Sequence, residues 1–156
     1  MTAARTNILN HKQINQMIIR MAYQVYESNM DASDIVIAGV AERGGFIGEL
    51  LFKALKEISP AKVNYISLND AVPKDFKGKT VVLTDDVLNT GATLINIMGP
   101  LVNAGVVKLE VAVLADRNHR LFPVHADYKG ISMATTLQEH IFFDNSNSDD
   151  LQLYLV

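Results

Sequence analysis

The chain has 156 residues, 49% hydrophobic and 20% charged, a composition that suits one globular domain over residues 1–156 and is too apolar for disorder. Fourteen Lys and Arg against seventeen Asp and Glu leave a formal charge of −3, and the missing basic field weighs against a nucleic-acid surface, RNA included. With no cysteine, disulfides, thiolate catalysis and thiolate metal sites are excluded together.

From Asn10 to about Asn29, the residues Ile14, Met17, Ile18, Met21 and Val25 recur at helical spacing, with Asn10 placed to cap the first turn. Asp34 then precedes Ile35–Val40, a β-branched run that reads as a strand buried on both faces. Its carboxyl end opens into Glu42-Arg43-Gly44-Gly45, after which Ile47, Leu50, Leu51, Ala54 and Leu55 predict a second helix closing near Ser59-Pro60. Lys62–Leu68 is the next strand, and Asn69–Lys79 is a linker carrying Pro73 and Gly78.

Thr80–Thr84 is strand-like, and Ala92–Ala104 is a helix ended by Gly105, with a bend or early stop expected at Gly99-Pro100. Leu109–Ala115 is a further strand, and its longest apolar run, Val111–Ala115, is far too short to cross a bilayer. Neither that run nor the amino terminus carries a membrane or secretion signal, so a cytoplasmic protein without a membrane partner is expected. Strands separated by helices predict an α/β fold, a mostly parallel sheet with right-handed crossovers. Val124–Tyr128, Ile141–Phe143 and Leu151–Val156 are short strand candidates that would cap the open end of the sheet.

The most informative run is Val81–Thr93, in which an apolar strand delivers Asp85 and Asp86 and the turn Thr90-Gly91-Ala92-Thr93 opens a helix. Successive backbone N–H groups at such a helix start converge on one spot and suit a phosphate, assisted by the hydroxyls of Thr90 and Thr93. Gly91 permits an approach that a side chain would block. The adjacent carboxylates suit a vicinal diol, or a divalent metal held among several oxygens. A phosphate on one side and paired carboxylates on the other measure out a ribose 5-phosphate. The bland alternative is an acidic strand end followed by an ordinary helix cap. The Gly-rich patterns of the Walker A loop and of the dinucleotide fingerprint are absent.

Thr84–Thr93 resembles the phosphoribosyl pyrophosphate signature of the type I phosphoribosyltransferases. The run Val113–Pro123, with Asp116-Arg117-Asn118-His119-Arg120 at its centre, and Ala126–Gly130 are similar to the members that combine pyrimidine-operon attenuation with uracil phosphoribosyltransferase activity. The likeness covers about Ile14 to Phe143. It implies a twisted sheet with helices on both faces and a small C-terminal cap, or hood. It also implies transfer of 5-phosphoribosyl from phosphoribosyl pyrophosphate to a nucleobase of the uracil type, with Mg²⁺ as cofactor and a homodimer or higher homo-oligomer as the working form.

Residue by residue, the resemblance implies that Asp85 and Asp86 bind the ribose hydroxyls, directly or through Mg²⁺. It gives the 5-phosphate to Asn89, Thr90, Gly91, Ala92 and Thr93, whether of phosphoribosyl pyrophosphate or of a nucleoside 5-monophosphate. Ala41, Glu42, Arg43 and Gly44 match the pyrophosphate loop, with Arg43 as its cation. Asp116 and Arg117 match the place where the base edge and the pyrophosphate side are met, and Tyr128 lies near the base-stacking position. Read from their chemistry alone, Arg43 is equally a solvated arginine, Asp116 and Arg117 an ion pair fixing a loop, and Tyr128 a core tyrosine. His119 reads as a loop or dimer-interface histidine, lacking an acid, nucleophile or metal partner.

Three departures open other readings. The linker Asn69–Lys79 is short for a lid that excludes water from a glycosyl transfer. Ala92 stands where relatives place a cation, and Asn89 where purine-using members place a carboxylate; Glu42 sets a negative charge beside the leaving group. These features motivate a non-catalytic domain that senses a nucleotide or phosphoribosyl pyrophosphate, with an RNA-binding attenuator as the third reading.

Overall fold

Two reciprocal hydrogen bonds start the first helix. In the computed structural model, which describes residues 4–68 and 76–156, the Gln13 N–H donates to Asn10 Oδ1 and the Asn10 N–H to Gln13 Oε1, both at 2.9 Å. Helix α1 (His11–Ser28) follows this capping box and buries Ile14, Ile18, Met21, Ala22 and Val25, the expected stripe less Met17, which is partly buried. A short strand β1 (Thr6–Leu9), not legible in the sequence, precedes it.

Strand β2 (Asp34–Val40) alternates between two apolar layers, as a strand covered on both faces must. Ile35 and Ile37 meet α1 and helix α2 (Ala41–Ile58), while Val36 and Ala38 join the opposite layer. Strands β3 (Lys62–Leu68), β4 (Thr80–Leu88) and β5 (Lys108–Asp116) continue the sheet, helix α3 (Ala92–Asn103) covers its second face with Leu94 and Leu101, and strand β6 (Tyr128–Ser132) completes it. The five strands run parallel in the order β3-β2-β4-β5-β6. Strands β7 (Ile141–Asp144) and β8 (Gln152–Leu155) pair antiparallel with each other and β8 with β1, forming a separate three-stranded hood. The hood therefore unites both ends of the described chain instead of its late elements alone. No helix among the described residues is long and apolar enough to cross a membrane.

Two boundaries differ from expectation, and a third lies mostly outside the described residues. Helix α3 runs through Pro100 to Asn103 without stopping, then ends at Gly105, whose φ of 96° suits glycine. The last parallel strand begins at Tyr128 and not at Val124. Asp127 takes both main-chain partners of Val111, donating its N–H to the carbonyl at 2.9 Å and accepting the N–H on its carboxylate at 2.8 Å, so the ladder starts one residue on. The proposed linker Asn69–Lys79 lies outside the described residues up to residue 75; Phe76–Lys79 forms a turn closed by Lys79 N–H donating to Phe76 O at 3.0 Å.

Tyr128 is placed in the core, which corrects its reading as a base-stacking residue. It stands opposite Ala112 at the start of β6, four residues short of the sheet edge at Asp116, and only 4% of its surface is exposed. Its hydroxyl donates to Glu110 Oε2 at 2.6 Å, and Asn29 Nδ2 donates to Glu110 Oε1 at 2.7 Å. Burial first, then the hydrogen bond to Glu110, pushes the phenol above its ordinary value. Lys108 Nζ completes the network by donating to Ser28 O and Asn29 Oδ1, each at 2.9 Å, and so caps the end of α1. Tyr128→Phe strips a buried carboxylate of its donor and is expected to lower the unfolding free energy by about 1–3 kcal/mol in a urea titration. Phosphate and nucleotide affinity should be untouched; a loss of base affinity with unchanged stability would return Tyr128 to the site.

Candidate active site

The phosphate cradle grows from the carboxyl end of β4. Past Leu88 the chain turns through Asn89 and Thr90 to Gly91, whose φ of 88° is the left-handed conformation that opens α3. A Cβ there would also stand 3.1 Å from the Val124 side chain. Glycine has no side chain with which to cap, and the first helical bond is that from Ile95 N–H to Gly91 O at 3.0 Å. The Ala92 N–H is met by Thr90 Oγ1 at 3.2 Å. The helix thus opens with unsatisfied N–H groups and the positive end of its dipole at the turn.

A cavity of about 60 Å³ lies there, lined by Asp85, Val87, Leu88 and the whole run from Asn89 to Leu94. One water needs about 10–15 Å³ on this measure, so the space takes about four to six heavy atoms, the size of a phosphate group. The structure brings all five expected phosphate residues, Asn89, Thr90, Gly91, Ala92 and Thr93, to one cavity with Asp85.

The strand does not stop at Thr84 as the sequence reading had it. It continues through both carboxylates to Leu88, because β5 accompanies it to the register Leu88↔Asp116 while β2 leaves after Gly39↔Thr84. Asp85 and Asp86 thus stand one step beyond the last residue paired with β2. The Asp86 N–H donates to Asp85 Oδ1 at 2.9 Å. Burial first, then the hydrogen bond and the charge of Asp86, pushes the Asp85 carboxyl up to about 8, with only the Asp86 N–H pulling the other way.

Ala41, Glu42, Arg43 and Gly44 are the first turn of α2, not a loop ahead of it. Val40 caps nothing with its side chain, and Ala41 makes the turn at φ 56°, a conformation that costs a residue with a Cβ about 1–2 kcal/mol. This turn presses directly on β4: a Cβ on Gly44 would lie 2.7 Å from Thr84 O and 3.1 Å from Asp85 Cα. Thr84 Oγ1 locks the contact by donating to Gly44 O at 2.8 Å. Glu42 lines a second cavity of about 360 Å³ with Glu49, Tyr65, Ser67 and Asn145. The Arg43 guanidinium carbon lies over the ring of Phe142 in the hood, 4.6 Å from its centroid.

Asp116 and Arg117 pair with other residues than each other, which corrects their reading as an ion pair. Asp116 accepts two hydrogen bonds from Arg120, Nη1 to Oδ1 at 2.8 Å and Nη2 to Oδ2 at 2.6 Å, and a third from the Asn118 N–H at 2.9 Å. Burial alone would raise this carboxyl; Arg120, the Asn118 N–H and the charges of Arg120 and Lys129 together hold it below the usual range. Arg117 is buried and turns away, donating to Thr135 Oγ1 at 2.7 Å, to Thr136 O at 3.0 Å and to Glu139 O. His119 is the loop histidine expected, its Nε2 2.8 Å from Thr135 O.

The family model of the phosphoribosyl transferase domain matches residues 4–145. The chain belongs to that family. It is 34% identical over 158 aligned positions to the bifunctional protein PyrR of Streptococcus mutans, covering 92% of this chain and 90% of the relative. The bifunctional protein PyrR of Streptococcus pneumoniae is 29% identical, covering 96% and 95%. Among solved structures, the hypoxanthine phosphoribosyltransferase of Trypanosoma cruzi superposes with a TM-score of 0.77 at 16% identity, over 95% of both chains. The hypoxanthine-guanine phosphoribosyltransferase of Leishmania tarentolae, solved in complex with GMP, gives 0.75 at 18% identity over 100% and 98%. The fold is thus that of the type I phosphoribosyltransferases, and the family chemistry is phosphoribosyl transfer, a pentosyltransferase reaction of nucleotide metabolism.

Arg120 is the site residue that sequence reasoning missed. Beyond Asp116 it donates to Val124 O at 2.6 Å and reaches Asn89 O at 3.5 Å, while the N–H groups of Leu121 and Phe122 both donate to Thr90 O. It therefore ties the end of β5 to the outer flank of the phosphate turn. The Asp116-to-Arg120 spacing was visible, but it signals a pair only on a helix, and no helix forms here.

Two outcomes follow from this geometry. Arg120→Gln leaves the buried Asp116 charge without its bidentate partner, with only Lys129 and the Asn118 N–H facing it; because Arg120 is partly exposed, the cost is expected at the lower end, about 3 kcal/mol, in chemical denaturation, with weakened binding of inorganic phosphate. For Asp85, the folded value lies above the unfolded value of 3.8, so the folded state retains a proton that the unfolded chain releases. The associated stability is complete at low pH and is lost as pH rises through about 8. Melting temperatures without divalent cations should therefore fall between about pH 5 and about pH 9, with Asp85→Asn removing that slope. Parallel slopes in the two proteins would refute the assignment.

Proposed function

We propose that this chain transfers 5-phosphoribosyl from phosphoribosyl pyrophosphate to a nucleobase of the uracil type and releases pyrophosphate. The observation that carries this reading is the single cavity lined by Asp85 and by the whole turn from Asn89 to Thr93, pressed by the first turn of α2. In it the opening N–H groups of α3 and the hydroxyls of Thr90 and Thr93 hold the 5-phosphate. Asp85 and Asp86 receive the ribose hydroxyls and favour positive charge at the anomeric carbon as the bond to pyrophosphate breaks. Arg43 meets the leaving group. The base nitrogen then attacks the face of the sugar opposite to it.

The donor set fits Mg²⁺. Burial first, and then the neighbouring Asp86, favours a proton on Asp85, and a hard divalent cation satisfies both carboxylates in its place. No group of three or more His, Asp or Glu gathers among the described residues, which accords with an ion that takes one or two carboxylates and completes its shell with water and substrate phosphates. When bound, Mg²⁺ supplies charge neutralisation to pyrophosphate. The resemblance of Val113–Pro123 to the members with uracil phosphoribosyltransferase activity supports a pyrimidine partner; the structural neighbours are named for hypoxanthine and guanine and share less of the sequence than the bifunctional PyrR relatives.

A second reading, a domain that binds phosphoribosyl pyrophosphate or a nucleotide without turnover, draws on one observation: the cavity lining contains neither Lys nor Arg. The test is pyrophosphate release from phosphoribosyl pyrophosphate and Mg²⁺ against uracil, hypoxanthine, guanine, xanthine, adenine and orotate, with binding followed by calorimetry. Release with uracil, reduced about 100-fold or more in a folded Asp85→Asn, Asp86→Asn double variant, is the expected result. Binding without release selects the second reading, and turnover indifferent to the double variant would sink the first.

A further inference from the structure

The hood contributes to the leaving-group end of the site. Arg43 is the cation of the α2 first turn, and that turn abuts Asp85 through Gly44. Among the described residues, Arg43 makes no hydrogen bond or salt bridge. It lies over the Phe142 ring, 4.6 Å from the centroid, and its charge, after the Ser146 hydrogen bonds and Arg5, helps hold the Asp144 carboxyl below the usual range. Phe142 itself is anchored: it faces Tyr154 across the β7–β8 ladder, and the Arg5 guanidinium lies 5.6 Å from the Phe142 centroid and 5.5 Å from that of Tyr154. Asp144, two residues on along β7, accepts from Ser146 N–H at 3.0 Å and Ser146 Oγ at 2.6 Å, so its hydrogen bonds are made locally.

A guanidinium is planar, with its five N–H donors in the plane. Stacking on an aromatic ring occupies the face and leaves the N–H edge open, whereas a salt bridge would consume that edge. We propose that Phe142 is a positioning residue for pyrophosphate: its ring fixes the face of the Arg43 guanidinium so that the N–H edge is free to form paired hydrogen bonds with the leaving group. The proposal rests on the phosphoribosyl-transfer reading and deepens it. It makes arginine at position 43 inseparable from an aromatic ring at position 142, since a lysine ammonium has no planar face to stack and no fork to offer a phosphate. The immobilisation of a long side chain is then done by the hood before ligand arrives.

The experiment titrates three ligands by calorimetry, phosphoribosyl pyrophosphate with Mg²⁺, inorganic pyrophosphate with Mg²⁺, and uridine 5-monophosphate. The proteins are the wild type and the Phe142→Leu, Phe142→Tyr, Arg43→Ala and Arg43→Ala, Phe142→Leu variants. Phe142→Leu keeps bulk and apolarity on a half-buried hood position but removes the ring. It should weaken both pyrophosphate-bearing ligands about threefold to tenfold and leave the monophosphate within about twofold, while Phe142→Tyr binds like the wild type. Added to Arg43→Ala, it should cause no further loss. Equal weakening of the monophosphate, failure of tyrosine to restore binding, an undiminished effect in the Arg43→Ala background, or no effect of leucine at all would each overturn the positioning role. A wild-type protein that binds the monophosphate but neither pyrophosphate ligand would overturn the transfer reading itself, and the proposal with it.

Discussion

The contact between the first turn of α2 and the end of β4 is the constraint from which the site follows. β2 parts from β4 at Gly39↔Thr84, and within two residues its chain has turned through the left-handed Ala41 into a helix. That helix can lie against β4 only because position 44 lacks a Cβ, and the Thr84 hydroxyl then holds it there. β4, freed from one neighbour but still paired with β5, carries Asp85 and Asp86 past this helix and delivers Gly91 to the start of the next. Two helix N-termini consequently flank one pair of carboxylates. This is the arrangement expected at the carboxyl ends of strands in an open α/β sheet, where ligands collect.

The acidic groups at this edge are treated in opposite ways. Asp85 faces another carboxylate, and its charge is relieved by a proton; Asp116 faces a bidentate arginine, and its charge is kept. A shared proton can be exchanged for a cation or for a ribose hydroxyl, so the Asp85–Asp86 pair is a place for exchange with solvent and ligand. The Asp116–Arg120 pair has no such freedom and acts as a strut between β5 and the phosphate turn. Neighbouring acids on one sheet edge have thus been divided between chemistry and support by what stands opposite them.

What the sequence made legible was local. The cap at Asn10, the two-faced burial of Ile35–Val40 and the phosphate turn at Thr90–Thr93 are written in neighbouring residues, and the structure has them where periodicity and turn chemistry put them. Apart from the continuation of α3 through Pro100, the misreadings involve partners distant in sequence. β4 runs past Thr84 because β5 accompanies it, Tyr128 goes inward because Glu110 and Asn29 await its hydroxyl, and Arg117 is drawn to the segment Thr135–Glu139. Strand β1 escaped notice because four residues with one buried side chain carry too little alternation to be read without β8 beside them.

The pairing of β1 with β8 also sets an order of assembly. The phosphate cradle draws on α3, on the end of β4 and on the segment reaching Val124, so it can form once the chain has been made through β5 and the following turn. The sheet that holds Phe142 waits for β8, the last of the elements, to come between β1 and β7. Its contacts close the longest loop in the described chain, the kind that forms late for reasons of chain entropy. A chain made only through β5 and the following turn contains the residues that line the β4–α3 cavity but lacks β7 and β8, and with them the Phe142 ring that Arg43 faces.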